Sequence, residues 1–131
     1  MVSLDDLVAI SRARLDDAES LLAAARFDAA LYIRGYAVEV ALKVRICRTL
    51  GWSGYPSTNK EFDGYHSFRT HDLETLLHLS GIEREVTTRH FEPWSAVIEW
   101  DPEVRYDPIG TTSRQAAMDI VNSARALLGV L

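Results

Sequence analysis

The segment that most constrains this chain runs from residue 28 to residue 50, DAALYIRGYAVEVALKVRICRTL, and it is apolar on more than one side at helical spacing. Leu31, Gly35, Val38, Leu42 and Ile46 form one stripe, and Ile33, Ala37, Val40, Ala41, Val44 and Cys47 widen it. A helix with so little polar surface must be surrounded by other elements, so this segment is expected to be the central helix of an all-α domain. It should stop at Gly51, since glycine adopts the left-handed capping conformation most easily. Its polar members are Arg34, Glu39, Lys43, Arg45 and Arg48. Glu39 and Lys43 are four residues apart, a pairing worth a few tenths of a kcal/mol, roughly, on an exposed helix. On a mostly buried helix such charges need partners or water.

The remaining segments supply the surroundings. Leu4, Leu7, Ser11, Leu15, Ala18, Leu22 and Ala25 recur at steps of three or four, which predicts an amphipathic helix over 4–25 with Ser3 as N-cap. Arg26-Phe27-Asp28 interrupts the pattern, with Asp28 able to cap the central helix, and so short a connection predicts an antiparallel hairpin. A third, short helix should follow a Thr70 cap, with Leu73, Leu76 and Leu77 facing inward, and end at Gly81. A fourth is expected over 83–100, kinked or broken by Pro93. WDPEVRYDPIG carries two prolines and should be extended or turned. Thr112 and Gln115 have capping-box spacing for a last helix with Ala117, Ile120, Val121, Ala124, Leu127, Leu128 and Leu131 on its inner face. No segment alternates with period two. The expected fold is an antiparallel bundle of four to five helices forming a single domain over 1–131.

Residues 51–69, GWSGYPSTNKEFDGYHSFR, hold five of the twelve aromatic residues, Trp52, Tyr55, Phe62, Tyr65 and Phe68. Loops this long in compact domains are often functional. The rings either fold the loop back over the bundle or offer a stacking surface for a base.

Charge and cysteine content narrow the function classes. With 14 Lys and Arg against 19 Asp and Glu, a net charge of −5 argues against indiscriminate binding to nucleic acid or anionic membrane. Local basic patches are still compatible with it. Cys47 is the only cysteine, which excludes an intramolecular disulfide and any multi-thiolate metal site. No apolar run approaches the roughly 18 residues of a membrane span, and MVSLDDLVAISRAR has charges where a signal peptide would be apolar. A cytoplasmic protein without membrane contact is expected. No metal site or cofactor is expected either, because no compact helical ligand pair such as HExxH occurs.

The order of these features resembles that of the HEPN domain of bacteria, archaea and some eukaryotic proteins. The resemblance is carried by Tyr32 and the run Ala37-Val38-Glu39-Val40-Ala41-Leu42-Lys43 in the second helix of a hairpin. After the loop come Thr70-His71-Asp72-Leu73 with Leu76-Leu77, then Arg105-Tyr106 before a final helix containing Ala117. It spans nearly the whole chain and implies a helical bundle that dimerises, with a functional groove at or near the dimer interface. Members act as RNase toxins, as partners of minimal nucleotidyltransferases, or as non-catalytic modules binding nucleotides or RNA.

The catalytic members carry an arginine and a histidine separated by four to six residues, and this chain departs from that pattern. Arg105 is followed by YDPIGTT, without histidine. Cleaving RNA through its 2′-hydroxyl needs a group that exchanges protons near neutral pH and a cation for the phosphorane, and arginine supplies only the second. Arg84 and His90 have the spacing but lie earlier in the chain, and on a regular helix they diverge by about 120°. His90 also falls on an apolar stripe, as a core or interface histidine would. His71 lies in the expected first turn of the third helix, where the helix dipole disfavours a positive imidazole. It either ties the long loop to the bundle or joins Glu39, Lys43, Arg105 and Tyr106 in one polar groove, with Arg105 the candidate partner of Glu39.

The expected function is therefore a non-catalytic HEPN module, a homodimer that binds a nucleotide, RNA or a minimal nucleotidyltransferase partner as half of a two-component, toxin-antitoxin-like system. The alternatives are a metal-independent HEPN endoribonuclease using His71 or His90 with Arg105 or Arg84, and a purely structural dimerising bundle.

Overall fold

Ser3 turns the chain into the first helix. In the computed structural model, which describes residues 1–131, its hydroxyl accepts the Asp6 N–H at 3.1 Å and opens α1 (Leu4–Ala23). Leu7, Ser11, Leu15 and Ala18 are buried along one side. The helix stops two residues before the expected end, and Ala25 takes φ 60° in the connection, a left-handed conformation unusual for a residue with a side chain. The central helix α2 (Phe27–Leu50) then packs antiparallel along α1 and ends at Gly51, whose φ of 68° is the expected left-handed cap. It contributes more buried residues than any other element, as its breadth of apolar surface requires. Cys47 is among them, fully buried as a small hydrophobe.

Asp28 does not cap α2. The helix begins one residue earlier, at Phe27, without a side-chain cap. The Asp28 carboxylate is spent on a distant segment, accepting the backbone N–H groups of Gly110 at 2.6 Å and Thr112 at 3.2 Å. These bonds stabilise the ionised form, so its pKa is lowered, first by the Gly110 N–H.

The long loop contains the only strand pairing. Strand β1 (Val2–Ser3) pairs antiparallel with β2 (Gly54–Tyr55), two residues on each side. The close approach requires glycine, since a Cβ at Gly54 would sit 2.4 Å from the Val2 carbonyl oxygen. Beyond it the loop is organised by its rings: Trp52 packs against Tyr55, Tyr65 and Phe68, and Tyr55 against Phe62. The Tyr55 hydroxyl donates to the Phe68 carbonyl at 2.5 Å, closing the loop on itself. The rings thus pack over the bundle and against one another.

Helix α3 (Leu73–Leu79) starts later than expected. Asp72 is its N-cap, accepting from the Thr75 N–H at 3.0 Å, while Thr70 accepts from Asp72 one turn earlier. His71 therefore precedes the helix and is not in its first turn. Leu73, Leu76 and Leu77 are buried, and Gly81 turns the chain with φ 81°.

The expected fourth helix is two helices, α4 (Glu83–Arg89) and α5 (Phe91–Val97), which brings the bundle to six. The break is at His90, with φ −127° and ψ 34°. Pro93 is the physical cause. It has no N–H for the Arg89 carbonyl four residues back, and its ring clashes with that carbonyl, so the helix yields before the proline. A 3₁₀ turn over Pro102–Tyr106 follows, capped by Asp101. The last helix, α6 (Arg114–Val130), is capped by Ser113 through the Ala116 N–H at 3.1 Å. The expected Thr112 and Gln115 box does not form, and Gln115 bonds Asp119 instead. Helix α6 closes the bundle against α1, α2 and α5, and 24 buried residues form one contiguous core.

Candidate functional site

Four polar residues share one face of the central helix. Tyr32, Tyr36, Glu39 and Lys43 follow at steps of four, three and four, the spacing that stacks side chains along a helix. The elements packed over the two ends of this stripe differ, and each contributes one of the residues singled out in the sequence.

At the Glu39 end the carboxylate is buried, with its side chain only 3% exposed. Its Oε1 is 2.8 Å from Lys43 Nζ and 2.8 Å from His71 Nδ1, while Oε2 has no partner. Burial of an ionised carboxylate is costly unless charged donors satisfy it, which is the physical reason for this triad. A carboxylate only accepts, so Nδ1 of His71 supplies the proton of this hydrogen bond and Nε2 points away from Glu39. The imidazole is 63% exposed, so Glu39 holds from below a histidine that solvent can reach. The partner expected for Glu39 was Arg105; the structure supplies Lys43 and His71. The reason is length of chain: the Thr70–Asp72 turn delivers His71 directly over α2.

At the Tyr32 end the geometry is set by a tryptophan. The Trp100 indole lies flat against Gly35, where a Cβ would be 1.9 Å from the ring, and its Nε1 donates to the Tyr32 carbonyl at 3.2 Å. Tyr36 meets Trp100 edge-on at 5.0 Å and Tyr32 edge-on at 5.4 Å. This close seat sets the 3₁₀ turn beside Tyr32, and Arg105 lines a hollow of about 200 Å³ with Tyr32, Asp28, Asp107 and Ile109. The guanidinium stacks over Tyr106 at 4.7 Å and donates to the Pro102 carbonyl at 3.0 Å. Its proton affinity is raised, first by the Tyr106 phenol, with smaller contributions from Glu103 and Tyr32. No carboxylate lies within ion-pair distance of it.

Tyr36 registers both ends electrostatically. Its pKa is pushed up to about 12, first by the Tyr32 hydroxyl and then by burial, with Glu39 adding to the rise and Arg105 opposing it. Tyr36 thus lies between the two ends of the stripe. Its ends are nonetheless separated: from Tyr32 to Glu39 is seven residues, roughly 10 Å of helix axis. The five residues expected in one groove form two groups, Glu39 with Lys43 and His71, and Arg105 with Tyr106.

The Arg84 and His90 pair does not share a helix. Arg84 is in α4 and lines an exposed hollow with Glu85, Thr88 and Arg89, while His90 is the half-buried hinge between α4 and α5. No three His, Cys, Asp or Glu side chains converge as metal ligands. Sequence reasoning passed over Tyr36 and gave Arg34 no role beyond being a polar member of the central helix. The signal for Tyr36 was its place between Tyr32 and Glu39 on the helical repeat. Arg34 is 3% exposed, its Nε and Nη1 reach no partner, and burial pulls its pKa down to about 10. No helix is long and apolar enough to cross a membrane. No protein-family model, curated protein or solved structure matches the chain.

Proposed function

We propose that this helical bundle is a non-catalytic HEPN-like module that binds a nucleotide, RNA or a minimal nucleotidyltransferase partner, as one half of a cytoplasmic two-component, toxin-antitoxin-like system. The observation that carries this reading is the Arg105 end of the α2 stripe. It presents a guanidinium with no ion-pair partner, stacked on the exposed Tyr106 ring in a hollow that Tyr32 also lines. An arginine without an ion-pair partner beside an aromatic ring suits a phosphate-bearing ligand. Ile109, 97% exposed at the same hollow, adds apolar surface for a protein partner or a second copy, consistent with a homodimer.

A second reading, a metal-independent endoribonuclease, is favoured by the Glu39 and His71 pair, because a buried carboxylate that fixes the tautomer of an exposed imidazole is an acid-base arrangement. Against it stands the seat of the Arg105 turn at the Tyr32 level, roughly 10 Å along the helix axis from Glu39, so that the arginine matching the family motif is set on a different level of α2 from His71. The test is metal-free incubation with single-stranded and structured RNA, following binding by anisotropy and cleavage on gels. Binding that Arg105→Ala removes, without cleavage, is expected. Cleavage abolished by His71→Ala would make the endoribonuclease reading correct, and neither binding nor cleavage would leave a structural dimerising bundle.

A further inference from the structure

A large cavity lies on the other side of Lys43, between α1, α2 and the long loop. It measures about 590 Å³, within the range of small-molecule sites, and its inner wall is apolar: Leu7, Ile10, Val40, Tyr55, Phe62 and Phe68. Its polar lining includes Lys43, Arg69 and His71 and no acidic side chain. Arg69 is exposed and forms no ion pair. From this combination we infer that the cavity is a binding site for a small organic anion that carries a carboxylate head on an apolar body, the head on Arg69 and Lys43 and the body against Ile10 and Val40.

The arrangement of the rings selects this class over a stacked base. Lys43 Nζ stands over the Tyr55 ring at 5.2 Å and Arg69 over the Phe62 ring at 5.7 Å. Tyr55 and Phe62 are 2% and 7% exposed, and each meets its neighbours edge to face. Ring faces occupied by cations do not accept a nucleobase, whereas Arg69, which forms no ion pair, can take an anionic head and Lys43, which gives one hydrogen bond to Glu39, has further N–H donors to add. The aliphatic side of the cavity takes an apolar chain without requiring a hydrogen bond. Charge complementarity therefore sets the head, and shape and polarity set the body. The inference is independent of the function proposed for the Arg105 end.

Calorimetric titration of the purified protein with decanoate, decanol and decyltrimethylammonium, which share a ten-carbon chain, tests this directly. Saturable decanoate binding is expected, with the cation binding at least about tenfold more weakly and the alcohol in between, as one charge-assisted hydrogen bond implies. Arg69→Met should weaken decanoate about tenfold while leaving decanol unchanged, and Ile10→Trp should weaken both by occupying the apolar end. Arg69 is exposed, so its variant tests the site without risk to the core. Arg105→Ala should leave decanoate affinity within about twofold, which separates this site from the Arg105 end of the α2 stripe. Equal binding of anion and cation, decanoate binding indifferent to Arg69→Met, or no saturable binding would overturn the assignment.

Discussion

The two ends of the α2 stripe use charge in opposite ways. Around Glu39 the carboxylate is buried and two donors converge on one of its oxygens. Around Arg105 the cation stands at the surface, stacked on an exposed tyrosine and bonded to a single carbonyl. Removal from water makes the first arrangement strongly dependent on every member. Exposure makes the second nearly irrelevant to stability and leaves the guanidinium free for a ligand. A charged group on a protein can thus hold the fold or wait for a partner, and burial decides which.

Substitutions that attack this contrast should differ in size. Glu39→Ala strips Lys43 of its counter-charge and releases His71, one of the contacts that tie the end of the long loop to α2. Lys43 keeps some water, so the expected loss of unfolding free energy is about 2 to 4 kcal/mol, measured by urea denaturation. A loss under about 0.5 kcal/mol would show that the two ends do not differ.

Gly35→Ala is the next test. Its Cβ would stand 1.9 Å from Trp100, so the indole must leave α2 and take the 101–106 turn with it. Overpacking of this kind costs about 1 to 3 kcal/mol, partly offset by about 1 kcal/mol from better helix propensity. Trp100 fluorescence should shift toward that of a wetter indole, and ligand binding at Arg105 should weaken even though no ligand-facing side chain has changed.

A smaller, pH-dependent effect is expected at Asp28, which pins Gly110 and Thr112 to the start of α2. Its folded pKa lies below the ordinary value of 3.8, so the stabilisation is present above that value and is lost as pH falls through the lower, folded one. Asp28→Ala should melt below wild type at pH 7, and the gap should close in acid. A gap that is constant with pH would mean that the carboxylate is not what ties the loop.

How much of this was legible in the sequence follows the range of the forces involved. Helices α1, α2 and α6 were read from the spacing of their apolar residues, and Gly51 and Ser3 from local capping chemistry. The errors begin where two capping residues are neighbours. Thr70 and Asp72, or Thr112 and Ser113, are both competent, and the choice depends on where the chain enters from. Pro93 announced a break but not its place, which follows from the carbonyl four residues earlier. The site was harder still. Glu39 and Lys43 were visible as one helical turn, whereas His71, 32 residues away, could be placed beside them only as one of two readings, and the folded loop decides between them. Arg105 was expected at Glu39, yet the Trp100 seat on Gly35 places its turn at the Tyr32 level instead.

The smallest effect on stability and the most informative one on function belong to Arg105. The most direct measurement is calorimetric titration of wild type and Arg105→Ala with adenosine monophosphate and with a short single-stranded RNA, alongside thermal unfolding of both proteins. The variant is expected to melt with wild type and to bind at least about tenfold more weakly. Unchanged affinity, or a variant that loses its fold together with its binding, would contradict the assignment of this end of the stripe as a ligand site.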